Sequence, residues 1–340
     1  MLVATSAVTP AGLMLRNAMK TSFVIALVTL AASRAFAQTP DPATPSTRST
    51  AVVEAGLATP TGHEISAGVS SYTYREPGTQ AISIHGVKFE AEYTGTRSLN
   101  RRRHWFAQVQ GRGTLGNVGY DGWCSPYVIA PNSASPNGYV LGIGDASPCI
   151  ESGDKDWYLE ARALAGKDVI GQRWAWSPYS GIGLRHLSNG TSGTPGYRID
   201  DYLYVPVGVT TRTDVVSRRT LSVNLEFDAL IHGWQETHDS YLGGGDVPPT
   251  LTAPAFTIDG FTDIAFSQSR GWALRASGKY PVTARWSLEP YYVRWQVGSS
   301  PVNYGTATFT VNSVTAHEQL GYYEPFNVTN EFGMRLAVHF

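Results

Sequence analysis

The sequence has few cysteines, little net charge and no apolar run beyond a short one near its beginning. Only Cys124 and Cys149 occur among 340 residues, and 26 basic against 27 acidic side chains give a formal net charge of −1. No segment has the ~18 consecutive apolar residues of a membrane helix, which argues against a helical membrane protein. A nucleic-acid-binding surface needs an excess of basic residues, which this chain lacks, so we expect no nucleic-acid partner. Helix-period patterns of useful length are absent as well, which argues against a helical bundle.

The beginning of the chain contains the three parts of a secretory signal peptide. Lys20 places a positive charge after Met19, residues 23–32 form the short apolar run, and residues 35–37 read Ala-Phe-Ala. This pattern predicts a translation start at Met19 and cleavage before Gln38. The predicted organisation is a signal peptide at 1–37, a flexible periplasmic linker at 38–61 that begins rich in Pro and Thr, and a barrel at 62–340.

Export would place both cysteines in an oxidising compartment, where an even pair usually forms one disulfide. A zinc site at the cysteines would need further ligands of suitable spacing, and none is near them. A Cys124–Cys149 bridge would close roughly 25 residues of the longest connection, 119–153, and contribute about 3 kcal/mol in the chain-entropy model. A loop held compact in this way either resists proteolysis or displays Trp123 and Tyr127 as a binding surface.

The rest of the chain alternates apolar and polar residues with the period of two that strands have. The connections alternate between short and long, as do the periplasmic turns and external loops of a membrane barrel. A soluble β-sandwich is not expected to alternate short and long connections in this way. The ten predicted strands span about 62–76, 82–97, 103–118, 154–168, 174–188, 199–213, 217–234, 263–280, 284–299 and 326–340.

Charged residues keep to one face of these strands. Gln110 and Arg112 share one face of the third strand, whereas Trp105 and Ala107 share the other. Because a charge facing lipid costs ~2–4 kcal/mol at the midplane, the charged faces should line the lumen. There we expect a paired network of Gln108, Arg112, Glu160, Arg162, Glu226, Asp228 and Arg275. We expect aromatic girdles at the membrane interfaces from Trp105, Trp157, Trp286, Tyr202 and Tyr204.

The chain ends in a strand whose last residue is aromatic. In "NEFGMRLAVHF", one face carries Phe332, Met334, Leu336, Val338 and Phe340. In a closed barrel this strand must pair with the first one, which removes both sheet edges. The signal peptide, the period-two strands and the terminal aromatic together resemble a Gram-negative outer-membrane β-barrel. The resemblance implies that these five side chains form a sorting signal read by the barrel-assembly machinery, and that outer-membrane lipid and lipopolysaccharide surround the wall.

The first candidate site lies in "LRHLSNG", residues 184–190. His186 and Ser188 share a face, and a His near a Ser can act as its general base. Asp201 lies across the hairpin, where a carboxylate could orient the imidazole. This run is similar to that of the outer-membrane lipid A deacylases. The resemblance implies that His186 is the base, Ser188 the nucleophile and Asp200 or Asp201 the acid, with Asn189 as a possible oxyanion donor.

The second candidate site joins "GDKDWYLEAR" to "WQETHDSY". Asp154 and Asp156 open the fourth strand, whereas Glu236 and His238 follow the seventh. Paired acids with a His can activate a water molecule. The pattern resembles the omptin proteases, and the resemblance implies an acidic pair at Asp154 and Asp156 with a water-activating dyad at Glu236 and His238.

The sequence as a whole predicts an all-β protein: a closed antiparallel barrel of about ten strands in the outer membrane, with short periplasmic turns and long external loops. About eight strands leave an interior filled by side chains and 16–18 leave a channel, so a general diffusion pore is not expected. Our interpretation favours a non-catalytic barrel that is structural, forms a narrow pore or binds a surface ligand. The alternatives are the deacylase-like esterase and the omptin-like protease. No cofactor and no metal is expected.

Overall fold

The computed structural model describes residues 56–78, 81–100, 102–189, 197–215, 219–242 and 245–340. The predicted signal peptide lies outside the described residues, as does the predicted linker up to residue 55. No helix within the described ranges is long and apolar enough to cross a membrane. The strands are β1 Gly62–Glu76, β2 Ile82–Asn100, β3 Trp105–Cys124, β4 Tyr127–Pro131, β5 Tyr139–Ile143, β6 Ser147–Lys167, β7 Val169–Ile170, β8 Trp174–Asn189, β9 Arg198–Val215, β10 Arg219–Thr237, β11 Gly245–Val247, β12 Phe256–Phe261, β13 Ile264–Gln268, β14 Gly271–Pro281, β15 Trp286–Val297, β16 Asn303–Val311, β17 Val314–Tyr322 and β18 Asn327–His339.

Ten strands form a closed antiparallel wall in the order β1-β2-β3-β6-β8-β9-β10-β14-β15-β18, with β13 pairing on β10 beyond β14. The wall closes where β18 pairs with β1, from Glu64 opposite His339 to Arg75 opposite Val328. All ten predicted strands are present, and the predicted pairing of the last strand with the first is confirmed. Closure pairs the first and last of the ten strands, as a strand structure in lipid requires.

The predicted ends of the third and fourth strands were wrong, because β3 and β6 remain paired up to Cys124 opposite Ser147. The sequence there contains glycines that favour turns. Gly122 nevertheless suits the strand, since a Cβ at this position would lie 2.5 Å from the Tyr120 hydroxyl. Both strands therefore extend well beyond the stretch predicted to be membrane-embedded.

The outer surface of the wall is apolar and the lumen is charged. Phe89 on β2 is 70% exposed and Phe332 on β18 is 60% exposed, although both lie in the middle of paired strands. Tyr202 and Tyr204 were predicted at the interfacial girdles, but they face the lumen and are buried there. The strand register explains this placement. Tyr202 pairs opposite Arg185 and Tyr204 opposite Gly183, and these positions of β8 face the lumen. Other large apolar side chains exposed on the outer face are Val69, Leu115, Ile182, Val207, Leu225, Met334 and Leu336.

Layers of ion pairs cross the lumen, as the charge pattern predicted. Arg275 reaches across from β14 to Glu160, with Nη2 2.5 Å from Oε1, and also contacts Glu226 and Asp228. Arg112 bridges two more carboxylates in a separate layer. Further pairs within the wall are Arg112–Glu90, Arg112–Glu331, Arg162–Glu226, Lys88–Asp156, Arg335–Glu92 and Arg335–Glu289.

The periplasmic half of the lumen encloses a cavity of about 640 Å³ with a charged lining. A short segment before β1 lies in its mouth. Leu57 there is fully buried, and both the amide and the hydroxyl of Thr59 donate hydrogen bonds to the Asp168 carboxylate. This part of the predicted linker therefore packs against the wall.

A small β-cap lies at the end of the barrel opposite the C-terminal Phe340. We use the name β-cap for the hairpin β4–β5 together with the four-stranded sheet β11-β12-β16-β17. Its core contains Tyr127, Phe256 and Phe309, all buried. The sequence predicted these connections as loops and offered Tyr127 as a surface residue. Because Tyr127 packs in the core of the β-cap, its ring is not part of a binding surface.

The disulfide between Cys124 and Cys149 forms at the base of the β4–β5 hairpin, as the sequence predicted. We expect the double variant Cys124→Ser, Cys149→Ser to weaken the restraint on this hairpin by about 3 kcal/mol, since the bridge closes 25 residues. Limited proteolysis should then cleave residues 125–146 faster, while the unheated protein keeps the gel mobility of a folded barrel. An unchanged cleavage rate would contradict a stabilising role for the bridge.

Candidate active site

The two neighbouring strands β8 and β9 bring a histidine and an acid together on the outer face of the wall. His186 pairs directly opposite Asp201 in the antiparallel register. Side chains opposite each other in such a ladder lie on the same face, close enough to interact. The His186 Nδ1 atom lies 2.7 Å from Asp201 Oδ1. The carboxylate therefore fixes the orientation of the ring, and the neutral imidazole keeps its proton on Nδ1 and leaves Nε2 as an acceptor.

Ser188 lies next to this pair, two residues beyond His186 on the same face of β8. Its side chain is 1% exposed, and Oγ makes no well-formed hydrogen bond to any described residue. The Tyr197 hydroxyl is a polar neighbour of Ser188. Trp157 of β6 pairs opposite Ser188, and its ring centroid lies 5.3 Å from that of His186. The buried Ser188 thus has two aromatic neighbours, Trp157 and Tyr197.

The neighbouring polar residues point the other way. Asp200 is buried in the lumen, one position from Asp201 and therefore on the opposite face of β9. Of the two acids, Asp201 is therefore the one that contacts His186. Asn189 pairs opposite Asp156, a lumenal residue, so its side chain lies on the opposite face from Ser188. This placement contradicts the suggestion that Asn189 stabilises an oxyanion on Ser188.

The structure does not bring the four omptin-like residues together. Asp156 is fully buried inside the barrel, where it pairs with Lys88. Lys88 Nζ also lies 3.4 Å from the ring centroid of Tyr72. Glu236 and His238 belong to the outer face of β10, because Glu236 pairs opposite Ile199, two positions from the outward Asp201. The acidic pair and the proposed dyad therefore occupy opposite faces of the wall.

Three residues near these sites were missed by the sequence reasoning. Tyr197 precedes β9 and stacks on His238, with ring centroids 4.9 Å apart. Asp263 lies just before β13, and its Oδ2 is 3.5 Å from His238 Nδ1. Trp157 was assigned only to a girdle. Strand register would have placed Trp157 beside Ser188, whereas Asp263 comes from a segment distant in sequence and carries no local signal.

The fold and the polarity of its two surfaces define the class of protein. A closed ten-stranded wall with an apolar outer belt and a charged interior is an integral outer-membrane β-barrel. The predicted fold class and location are thereby confirmed. On this wall the His186–Asp201 pair faces outward near the external end of β8 and β9.

No family model matches the chain, and no curated protein matches it. Solved structures show a general similarity of architecture. The outer membrane protease OmpT from Escherichia coli aligns over 83% of this chain and 98% of its own, at 10% identity and a TM-score of 0.45. An outer-membrane channel from Pseudomonas putida F1 aligns over 84% and 97%, at 13% identity and a TM-score of 0.35. The translocator domain of the autotransporter NalP from Neisseria meningitidis aligns over 86% and 93%, at 11% identity and a TM-score of 0.31. At these values the similarities say nothing about activity.

Proposed function

We propose that the chain is a membrane-facing esterase that removes an acyl chain from a lipid of the outer leaflet. The hydrogen-bonded His186–Asp201 pair, with Ser188 on the same face, is the observation that carries the proposal. A serine, a histidine and a carboxylate are the parts of a hydrolytic triad, and here the histidine and the carboxylate are already hydrogen-bonded. The arrangement matches the roles implied by the resemblance to lipid A deacylases.

The chemistry follows from the positions of these groups. Ser188 Oγ attacks the ester carbonyl and passes its proton to His186 Nε2, while Asp201 stabilises the imidazolium. The imidazolium then protonates the departing alcohol, leaving an acyl-serine that water hydrolyses with the same histidine as base. The Tyr197 hydroxyl, a neighbour of Ser188, can donate to the oxyanion. The hydrogen bond between nucleophile and base often forms fully only with substrate bound.

The direction in which the site faces supports a lipid substrate. Ionisable groups on a lipid-facing surface are costly and mark functional sites in membrane proteins. His186 and Asp201 lie on the outer face, where the chains of membrane lipids meet the wall. Ser188 is buried beside Trp157 and Tyr197, so an acyl chain would reach the serine from the lipid side by displacing neighbouring side chains.

The pore alternative has less support. Ion pairs cross the lumen in successive layers, and their side chains are almost completely buried. An ion would have to separate buried charge pairs to pass, which is energetically expensive. Structural or ligand-binding roles for the β-cap stay compatible with an esterase on the wall.

A covalent probe tests the nucleophile directly. The full-length protein, folded in detergent micelles, should react with a long-chain fluorophosphonate, and peptide mass spectrometry should find the adduct on Ser188. Ser188→Ala should abolish labelling, because no other group replaces the nucleophile. The mass of lipid A from host cells expressing the wild type should fall by one acyl chain, whereas cells expressing Ser188→Ala should show no loss.

Ser180→Ala is the matched control. Ser180 lies on the same outward face of β8, and its hydroxyl donates to the Pro206 carbonyl oxygen at 2.8 Å, far from His186. Labelling and acyl loss should survive this change. Absence of any adduct on wild-type Ser188, together with unchanged lipid masses, would overturn the proposed esterase.

A further inference from the structure

A second cluster on the outer face contains Glu236 at the end of β10, His238 just beyond it and Asp263 just before β13. Their carboxylate oxygens and imidazole nitrogen all lie within 4.8 Å of one another. This cluster, which we call the rim cluster, takes its ligands from two separate segments of the chain. One histidine and two carboxylates offer three ligand atoms of the kinds that bind zinc.

The unpaired ring nitrogens of His238 are an independent indication that the rim cluster binds a ligand. Its side chain is 1% exposed, and neither ring nitrogen makes a hydrogen bond to any described residue. Nδ1 faces Asp263 Oδ2 at 3.5 Å, beyond a good hydrogen bond. Buried polar groups without partners are rare, because each loses its hydration without compensation.

The surroundings hold the rim cluster in place. The Ser240 amide donates to Asp263 Oδ1 at 2.8 Å, which leaves Oδ2 directed towards His238. The His238 backbone amide donates to the Tyr197 carbonyl oxygen at 3.0 Å, and the two rings stack. These three contacts orient the side chains without occupying the imidazole nitrogens.

We propose that the rim cluster binds a divalent transition-metal ion of the zinc type, with Glu236, His238 and Asp263 as ligands. Zinc holds nitrogen and oxygen ligands at about 2.0–2.2 Å, so a small contraction of the cluster brings all three into range. Imidazole favours zinc over calcium or magnesium, which prefer oxygen alone. Three protein ligands leave one position open for water or an external ligand.

The metal would join the β-cap to the wall. Asp263 connects β12 of the β-cap sheet to β13 of the wall, while Glu236 belongs to β10 of the wall. A metal bonded to all three would restrain the segment 245–262, which contains β11 and β12 of the β-cap. This role does not depend on the proposed esterase, since Ser188, His186 and Asp201 are not ligands.

Zinc alone serves as the probe in a binding experiment on the chelator-treated, folded full-length protein in detergent. Calorimetry should show one zinc ion per chain. His238→Ala, Glu236→Gln and Asp263→Asn should each weaken binding at least about tenfold, since even groups that only support metal ligands contribute 10–100-fold. Cobalt(II) should give visible absorption bands typical of four or five ligands, and these bands should vanish in His238→Ala.

His232→Ala is the matched control. His232 lies on the same outward face of β10, but its Nε2 already pairs with Ser267 Oγ at 3.2 Å. Its loss should leave zinc affinity unchanged. Zinc should also slow proteolysis within 245–262 in the wild type and not in His238→Ala.

The absence of zinc binding by the wild type would overturn the inference, as would binding that all three ligand variants retain. Mobility on unheated gels verifies that each variant is folded. Fluorophosphonate labelling of Ser188 should persist in Asp263→Asn, which keeps the His238 ring stacked on Tyr197, so failure of the metal site and failure of the esterase can be told apart.

Discussion

Asp201→Asn is expected to lower ester hydrolysis by about 10⁴-fold while the barrel stays folded. The amide cannot accept the Nδ1 proton of His186 as the carboxylate does, and the imidazole then favours the tautomer that keeps its proton on Nε2. In that state the ring cannot take the proton of Ser188. The 2.7 Å contact between His186 and Asp201 is the interaction removed. Hydrolysis of a chromogenic long-chain ester in micelles measures the change in kcat.

Asp200→Asn is an unusually close control, because it makes the same chemical change one residue away. Asp200 lies in the lumen, separated from His186 by the wall. Its replacement should leave kcat and the rate of Ser188 labelling near those of the wild type. Equal activity of Asp201→Asn and the wild type would remove Asp201 from the mechanism. Equal losses in both variants would indicate a general defect of folding.

Arg275→Met should destabilise the folded barrel by about 3–5 kcal/mol. The guanidinium contacts Glu160, Glu226 and Asp228, and all four side chains are buried. Removing one member of a buried ionic network leaves the opposite charges without compensation at low dielectric. Methionine fills much of the same volume, so the loss is chiefly electrostatic. Urea unfolding in lipid vesicles, followed by tryptophan fluorescence, measures the free energy of unfolding.

Lys279→Met is the comparison at the mouth of the lumen. Lys279 pairs with Glu64 and Glu289 but is 31% exposed, so water can replace most of the interaction. We expect a loss of at most about 1 kcal/mol. If the two methionine variants lost stability equally, the layered ion pairs would not be the source of the stability of the lumen.

The wall was readily predictable because its pattern is local. Each strand records in its own residues which face meets lipid and which meets the lumen, as Phe332 and Arg335 show on β18. The penalty for a charge in lipid is large enough to impose this alternation on most positions of the wall. The predictions failed where that penalty is absent. Beyond the membrane, β3 and β6 continue through glycines, and the β-cap is built from segments that resemble loops.

The candidate sites show the same difference between residues with a local sequence signal and residues without one. His186, Ser188 and Asp201 could be proposed from sequence because two are close in one strand and the third follows in the next. Sequence could not choose between Asp200 and Asp201, since the choice depends on register. Tyr197 and Asp263 had no local signal at all.

The sequence by itself determined a membrane barrel, its ten strands, its lumenal charges, its disulfide and its closing strand. These features follow from period-two alternation and the cost of exposing charge to lipid, which act on each residue separately. Only the tertiary structure decided which acid faces His186, that Asp156 is sealed with Lys88 inside the wall, and that His238 meets Asp263. Those contacts depend on strand register and on chain segments far apart in sequence, and no local pattern encodes the distance between them.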